Sequence, residues 1–167
     1  SAVTSAVAVG LFWILARRSG LRAVGAALAT VLFATASIVW SSAVETEVYG
    51  LATAAFLALI LLALRARSAR AGAREEAIFF FAAGLATVAH QTLLFPALCV
   101  SFAVLARDRG ASRGGAVRRA VTGFAWAALG ASITLVIPVR WSAGPPFAWT
   151  DVRGLGGLSD YLLRRTY

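Results

Sequence analysis

Residues 40–64 read WSSAVETEVYGLATAAFLALILLAL. Two carboxylates, Glu45 and Glu47, stand at the head of an apolar run that meets no further charge until Arg65. A run of this kind approaches the roughly 20 residues that carry a helix through a bilayer. Further apolar blocks occupy residues 1–16, 23–43, 77–89, 91–106 and 120–139. The 167-residue chain is 60% hydrophobic and only 14% charged, with a mean hydropathy of +0.80. A water-soluble domain of that size could not bury so much apolar surface. The composition therefore predicts an all-α fold, a polytopic transmembrane helical bundle. Its membrane region is expected over residues 1–139 and an extracytoplasmic tail over 140–167.

Charge distribution sets the expected sidedness. All 16 basic residues are arginine and the net charge is +9. Nucleic acid is not the expected partner, because the arginines fall in short segments between apolar blocks. These are Arg17, Arg18 and Arg22; Arg65, Arg67, Arg70 and Arg74; and Arg107, Arg109, Arg113, Arg118 and Arg119. Such clusters mark the cytoplasmic ends of membrane helices and lie against anionic lipid. Placing all three inside requires an even number of crossings between residues 75 and 106. The stretch AIFFFAAGLATVAHQTLLFPALCVSFAVLA is therefore expected to break at His90–Gln91 into a short hairpin, 77–89 and 91–106. Pro96 suits an early-turn position of the second half. With this layout the outer residues are electrically balanced, since Arg140, Arg153, Arg164 and Arg165 face Glu45, Glu47, Asp151 and Asp160. The whole net charge lies inside.

The layout also brings Glu45, Glu47, His90, Gln91 and Arg140 to the outer boundary from three separate parts of the chain. Polar groups at membrane depth are costly and mark functional sites by default. Each has a structural alternative. Glu45 and Glu47 suit the start of the next helix, with Thr46 as its cap. His90 and Gln91 suit a hairpin tip, and Arg140 an anchor that reaches to the interface. Trp40, Trp141 and Trp149 fit an aromatic belt. The glycines of RGLGGL, residues 153–158, open no phosphate loop and fit a turn. From Leu155 a short interfacial helix is expected, with Tyr161 and Tyr167 at headgroup level and Arg164 and Arg165 able to hold a phosphate. Cys99 stands alone and indicates neither a disulfide nor a metal site. The absence of methionine and the opening inside an apolar run suggest a piece of a longer protein.

Three ordered motifs carry a resemblance: W-x4-E-x-EVYGL from Trp40, GLATVAHQTLLFPAL from Gly84, and PVR…PPFAWTD…YLLRRTY from Pro138. Together they resemble bacterial membrane proteins related to the protein O-mannosyltransferases, of the GT-C class of glycosyltransferases. The likeness runs along nearly the whole chain. It implies a partial GT-C-like fold and transfer of a sugar, mannose as the family's example, from a polyprenyl-phosphate carrier. The acceptor would be a protein or glycan hydroxyl on the extracytoplasmic face. Glu47 and His90 match catalytic positions. Glu45, Tyr49, Gln91, Arg140, Trp149, Arg165 and Tyr167 match or adjoin substrate-binding ones, Arg165 and Tyr167 most loosely. A divalent cation is compatible with Glu47. The family's Asp-x-Gly-Glu and His-Pro-Pro-Gly motifs do not occur in this sequence, so these residues alone are expected to be inactive. The alternative is a non-catalytic polytopic protein or transporter piece, with His90 and the glutamates as an intramembrane relay. That alternative calls for paired interrupted helices, and the sequence offers one interruption.

Overall fold

The computed structural model describes residues 2–44, 49–107, 112–142, 152 and 154–162. Glu45, Glu47, Trp149, Arg165 and Tyr167 lie outside them. The described elements are all helical: α1 (Ala2–Arg18), α2 (Ala23–Thr35), α3 (Ser37–Val44), α4 (Tyr49–Ala66), α5 (Ala73–Ala89), α6 (Leu94–Leu105), α7 (Arg113–Ala131), α8 (Val136–Ser142) and α9 (Gly154–Leu162). Single 3-10 turns, Gln91–Leu93 and Ser132–Leu135, precede α6 and α8.

Helix boundaries depart from the apolar blocks where local chemistry intervenes. The block 23–43 divides at Ala36, whose ψ of 132° leaves the helical region. Beside it the Thr35 hydroxyl donates back to the Val31 carbonyl at 2.8 Å, a bond that competes with regular helix. Polar residues extend two helices beyond their apolar stretches. The Glu75 carboxylate accepts the Gly72 N–H at 3.0 Å, so α5 begins at Ala73. The Ser112 hydroxyl accepts the Gly115 N–H at 3.2 Å, so α7 begins at Arg113. Pro138 explains the turn before α8: its ring crowds the carbonyl four residues back, and residues 132–135 tighten to 3-10 geometry. The glycines of RGLGGL do not form a simple turn. Gly154 takes a φ of +64°, open to glycine, and α9 runs on through Gly156.

Packing fixes helix directions. Leu59, Ala63 and Ala66 of α4 share a core with Phe79, Phe80 and Ala83 of α5 and with Ala97 and Val104 of α6. Nearer the start of α4, Ala52 meets Ala86 and Leu93. Neighbours α4 and α5 are thus antiparallel, as are α5 and α6. Helix α1 runs beside α4, with Ala8 against Ala54 and Leu57, and the Phe12 and Phe33 rings stack at 4.4 Å.

Helices α5 and α7 lie parallel and in register: Glu76 meets Arg119, Phe80 meets Gly123 and Gly84 meets Ala127. Their backbones nearly touch. A methyl group on Gly84 would fall onto the Ala127 carbonyl oxygen, and one on Gly130 onto that of Phe81. Small residues at such a seam are how helices associate where hydrocarbon removes the hydrophobic drive.

These directions gather the described arginines from Arg17 to Arg119 at one end. The Arg67 guanidinium donates to the Ala103 carbonyl at 2.5 Å, and Arg107 donates to that of Ala66 at 2.6 Å. Arg119 grips Glu76 through two bonds, of 2.7 and 3.1 Å, with Arg107 3.9 Å from the same carboxylate. Tyr49, His90 and Leu93 lie at the opposite end. Between the ends, Tyr49–Ala66 and Arg113–Arg140 are long and apolar enough to cross a membrane, while 23–35 and 91–105 are apolar but shorter. Only 11% of the most apolar window of Arg113–Arg140 is buried, so its side chains face outward. Hydrocarbon suits such a surface better than water.

Candidate functional site

The helical run from Ala73 stops at Ala89 because His90 turns extended, with φ −160° and ψ 130°. Its imidazole closes the break. Nδ1 accepts the Thr92 N–H at 3.3 Å and lies 2.7 Å from the Thr92 hydroxyl, capping the 3-10 turn. With Nδ1 used as the acceptor, the neutral ring carries its proton on Nε2. The Tyr49 ring, from the first residue of α4, lies 5.5 Å from the imidazole at a 44° tilt. Tyr49 is exposed and His90 half-buried. An oriented N–H donor therefore sits at a helix break, with an aromatic wall beside it.

A groove of 580 Å³ opens next to this pair. Its walls are mostly apolar, with Ala8, Phe33, Val39, Phe56, Leu93 and Pro96 contributed by α1, α2, α3, α4 and the α6 region. The hydroxyl-bearing residues Ser5, Ser41, Tyr49, Thr53 and Thr92 complete its lining. Thr53 donates to the Tyr49 carbonyl and Ser41 to the Ile38 carbonyl. Ser5 is different: it is 5% exposed and its Oγ has no hydrogen-bond partner. An unsatisfied buried hydroxyl costs about 1–3 kcal/mol, and a bound group could relieve that.

Among the sequence-expected residues, the structure brings Tyr49 and His90 together, with Gln91 adjoining. Arg140 is exposed in α8. Thr92 and Ser5 were not legible as site residues, since a lone hydroxyl in an apolar run ordinarily bonds its own helix. Among the described residues no three of His, Cys, Asp and Glu converge on a metal position.

No curated protein and no solved structure matches the chain. The family model described as "Protein O-mannosyl-transferase TMEM260 N-terminal domain" matches residues 1–112, about two thirds of the chain. The match takes in Glu45, Glu47, Tyr49, His90 and Gln91, and ends before Arg140. With Tyr49, His90 and the groove inside the matched region, the chain belongs to the protein O-mannosyl-transferase TMEM260 N-terminal domain family.

Proposed function

We propose that the protein is a GT-C-type glycosyltransferase of a bacterial inner membrane. It moves a sugar, with mannose as the family's example, from a polyprenyl-phosphate donor to a protein or glycan hydroxyl on the extracytoplasmic face. Residues 1–139 form its membrane region, and 140–167 a tail in which α9 lies on the membrane. The acceptor oxygen attacks the anomeric carbon, the bond from that carbon to the phosphate oxygen breaks, and the polyprenyl phosphate departs. The acceptor proton passes to a carboxylate, which the class places in an outer loop.

In this scheme the Nε2–H of His90 donates to the phosphate or the leaving oxygen, where negative charge builds up. Thr92 holds Nδ1, which leaves Glu47 to bind a sugar hydroxyl or a divalent cation. Arg140 and Arg165 neutralise the phosphate, with Tyr167 beside them. Tyr49, Gln91, Glu45 and Trp149 border the sugar, and the apolar groove beside Tyr49 suits the first isoprene units of the carrier. The observation that carries the proposal is the oriented His90 donor beside an apolar groove, in a chain of an O-mannosyltransferase family.

The test is an assay of the full-length protein with lipid-linked mannose. Glu47→Gln and His90→Ala should each lower transfer by about 100-fold or more. Wild-type turnover in both variants would remove these residues from the chemistry.

A further inference from the structure

A second cavity lies at the arginine end, between the beginnings of α5 and α7. It measures 220 Å³. Ala73, Ala77 and Phe80 form one wall, and Arg118, Thr122 and Trp126 the other. On α7 these last three recur every fourth residue and so share one stripe. Along that stripe the chemistry grades from guanidinium through hydroxyl to indole. Leu129, near the end of α7, and Ile133, in the 3-10 turn beyond it, are both exposed and continue the stripe away from the arginine end.

Among the described residues the acid on the lining is Glu76, which is already held by the two bonds from Arg119. Its charge is thereby balanced, and the exposed Arg118 adds a cation at the mouth. Arg74 and Arg113, exposed on adjoining turns, raise the positive potential further.

We propose that this cleft binds the headgroup of an anionic membrane phospholipid. The Arg118 guanidinium donates to the phosphodiester oxygens, and the Thr122 hydroxyl to a phosphate or glycerol oxygen. The indole of Trp126 lies along the glycerol and the first acyl carbons, its usual place in a bilayer. Basic pockets between membrane helices on the cytoplasmic side are suited to such headgroups. The apolar half of the cleft and the Leu129–Ile133 track point to a lipid and not to free phosphate. The proposal rests on α7 crossing the membrane; sugar transfer does not enter it.

Thermal unfolding of delipidated full-length protein in detergent tests it, with phosphatidylglycerol, phosphatidylcholine or inorganic phosphate added. Phosphatidylglycerol should raise the midpoint of the wild type and of Arg70→Gln, which removes a charge from the same end outside the cleft. Arg118→Gln and Trp126→Leu should lose most of that shift, while Arg118→Lys keeps part of it. Phosphatidylcholine and inorganic phosphate should have little effect. Equal losses in Arg70→Gln and Arg118→Gln would mean diffuse attraction and overturn the site. So would an equal shift from inorganic phosphate, or no shift from phosphatidylglycerol. Because the readout is lipid-dependent stability, the outcome is separate from any failure of sugar transfer.

Discussion

His90 and Glu75 both cap helical turns, and they do so at opposite ends of α5. Glu75 accepts the Gly72 N–H, and this bond is the main reason its carboxyl titrates below the ordinary range; Arg65 and Arg74 add smaller effects in the same direction. A carboxylate whose folded pKa is depressed stabilises the fold fully above its unfolded value, about 4.3, and loses that contribution as pH falls through the lower folded value. Wild-type unfolding midpoints should therefore drop below about pH 4.3 more steeply than those of Glu75→Gln, whose side chain does not titrate. Parallel curves for the two proteins would show that this cap contributes nothing. His90 was legible as a candidate because a lone imidazole in the middle of an apolar run is costly unless it binds or caps. Its tautomer was not, because that depends on Thr92 folding back onto Nδ1, a contact set by the 3-10 turn.

Among the helices, the α5–α7 seam is the contact most sensitive to a single atom. Gly84 meets backbone, and a carbonyl cannot rotate aside as a side chain can. Gly84→Ala should therefore separate the helices and cost about 1–3 kcal/mol. Gly10→Ala, inside α1 with open space around it, should be neutral or gain up to about 1 kcal/mol from helix propensity. Thermal unfolding in detergent measures both; an unchanged Gly84→Ala midpoint would mean the seam is looser than described. Sequence periodicity could not reveal this parallel pairing, because Gly84, Gly123 and Gly130 carry no side chain to announce a face. The break at His90 was legible from the charge rule together with block length. The break at Ala36 was not, since nothing in ATAS outweighs the apolar block on composition alone. Helix α7 began earlier than its apolar stretch because Ser112 supplies a cap and the arginines that follow are good helix formers.

For the molecule as a whole, the helix directions place every described arginine from Arg17 to Arg119 toward one end, and Tyr49 with His90 toward the other. The same separation follows from counting charges along the chain. Both views put the Arg65–Arg74 segment at one end with Arg107 and Arg119, and His90 at the other; the charge count adds Glu47 to the His90 side. Where those two ends lie relative to a membrane decides between a lipid-facing transferase site and a set of unrelated caps. Cysteine accessibility in intact cells tests this most directly, using full-length protein stripped of its native cysteines, Cys99→Ser among them, with single cysteines at Ala69→Cys, Gly114→Cys and Thr46→Cys. An impermeant thiol reagent should label Thr46→Cys from outside the cell, and should reach Ala69→Cys and Gly114→Cys only after the membrane is opened. Labelling of Gly114→Cys in intact cells, or protection of Thr46→Cys, would contradict the account.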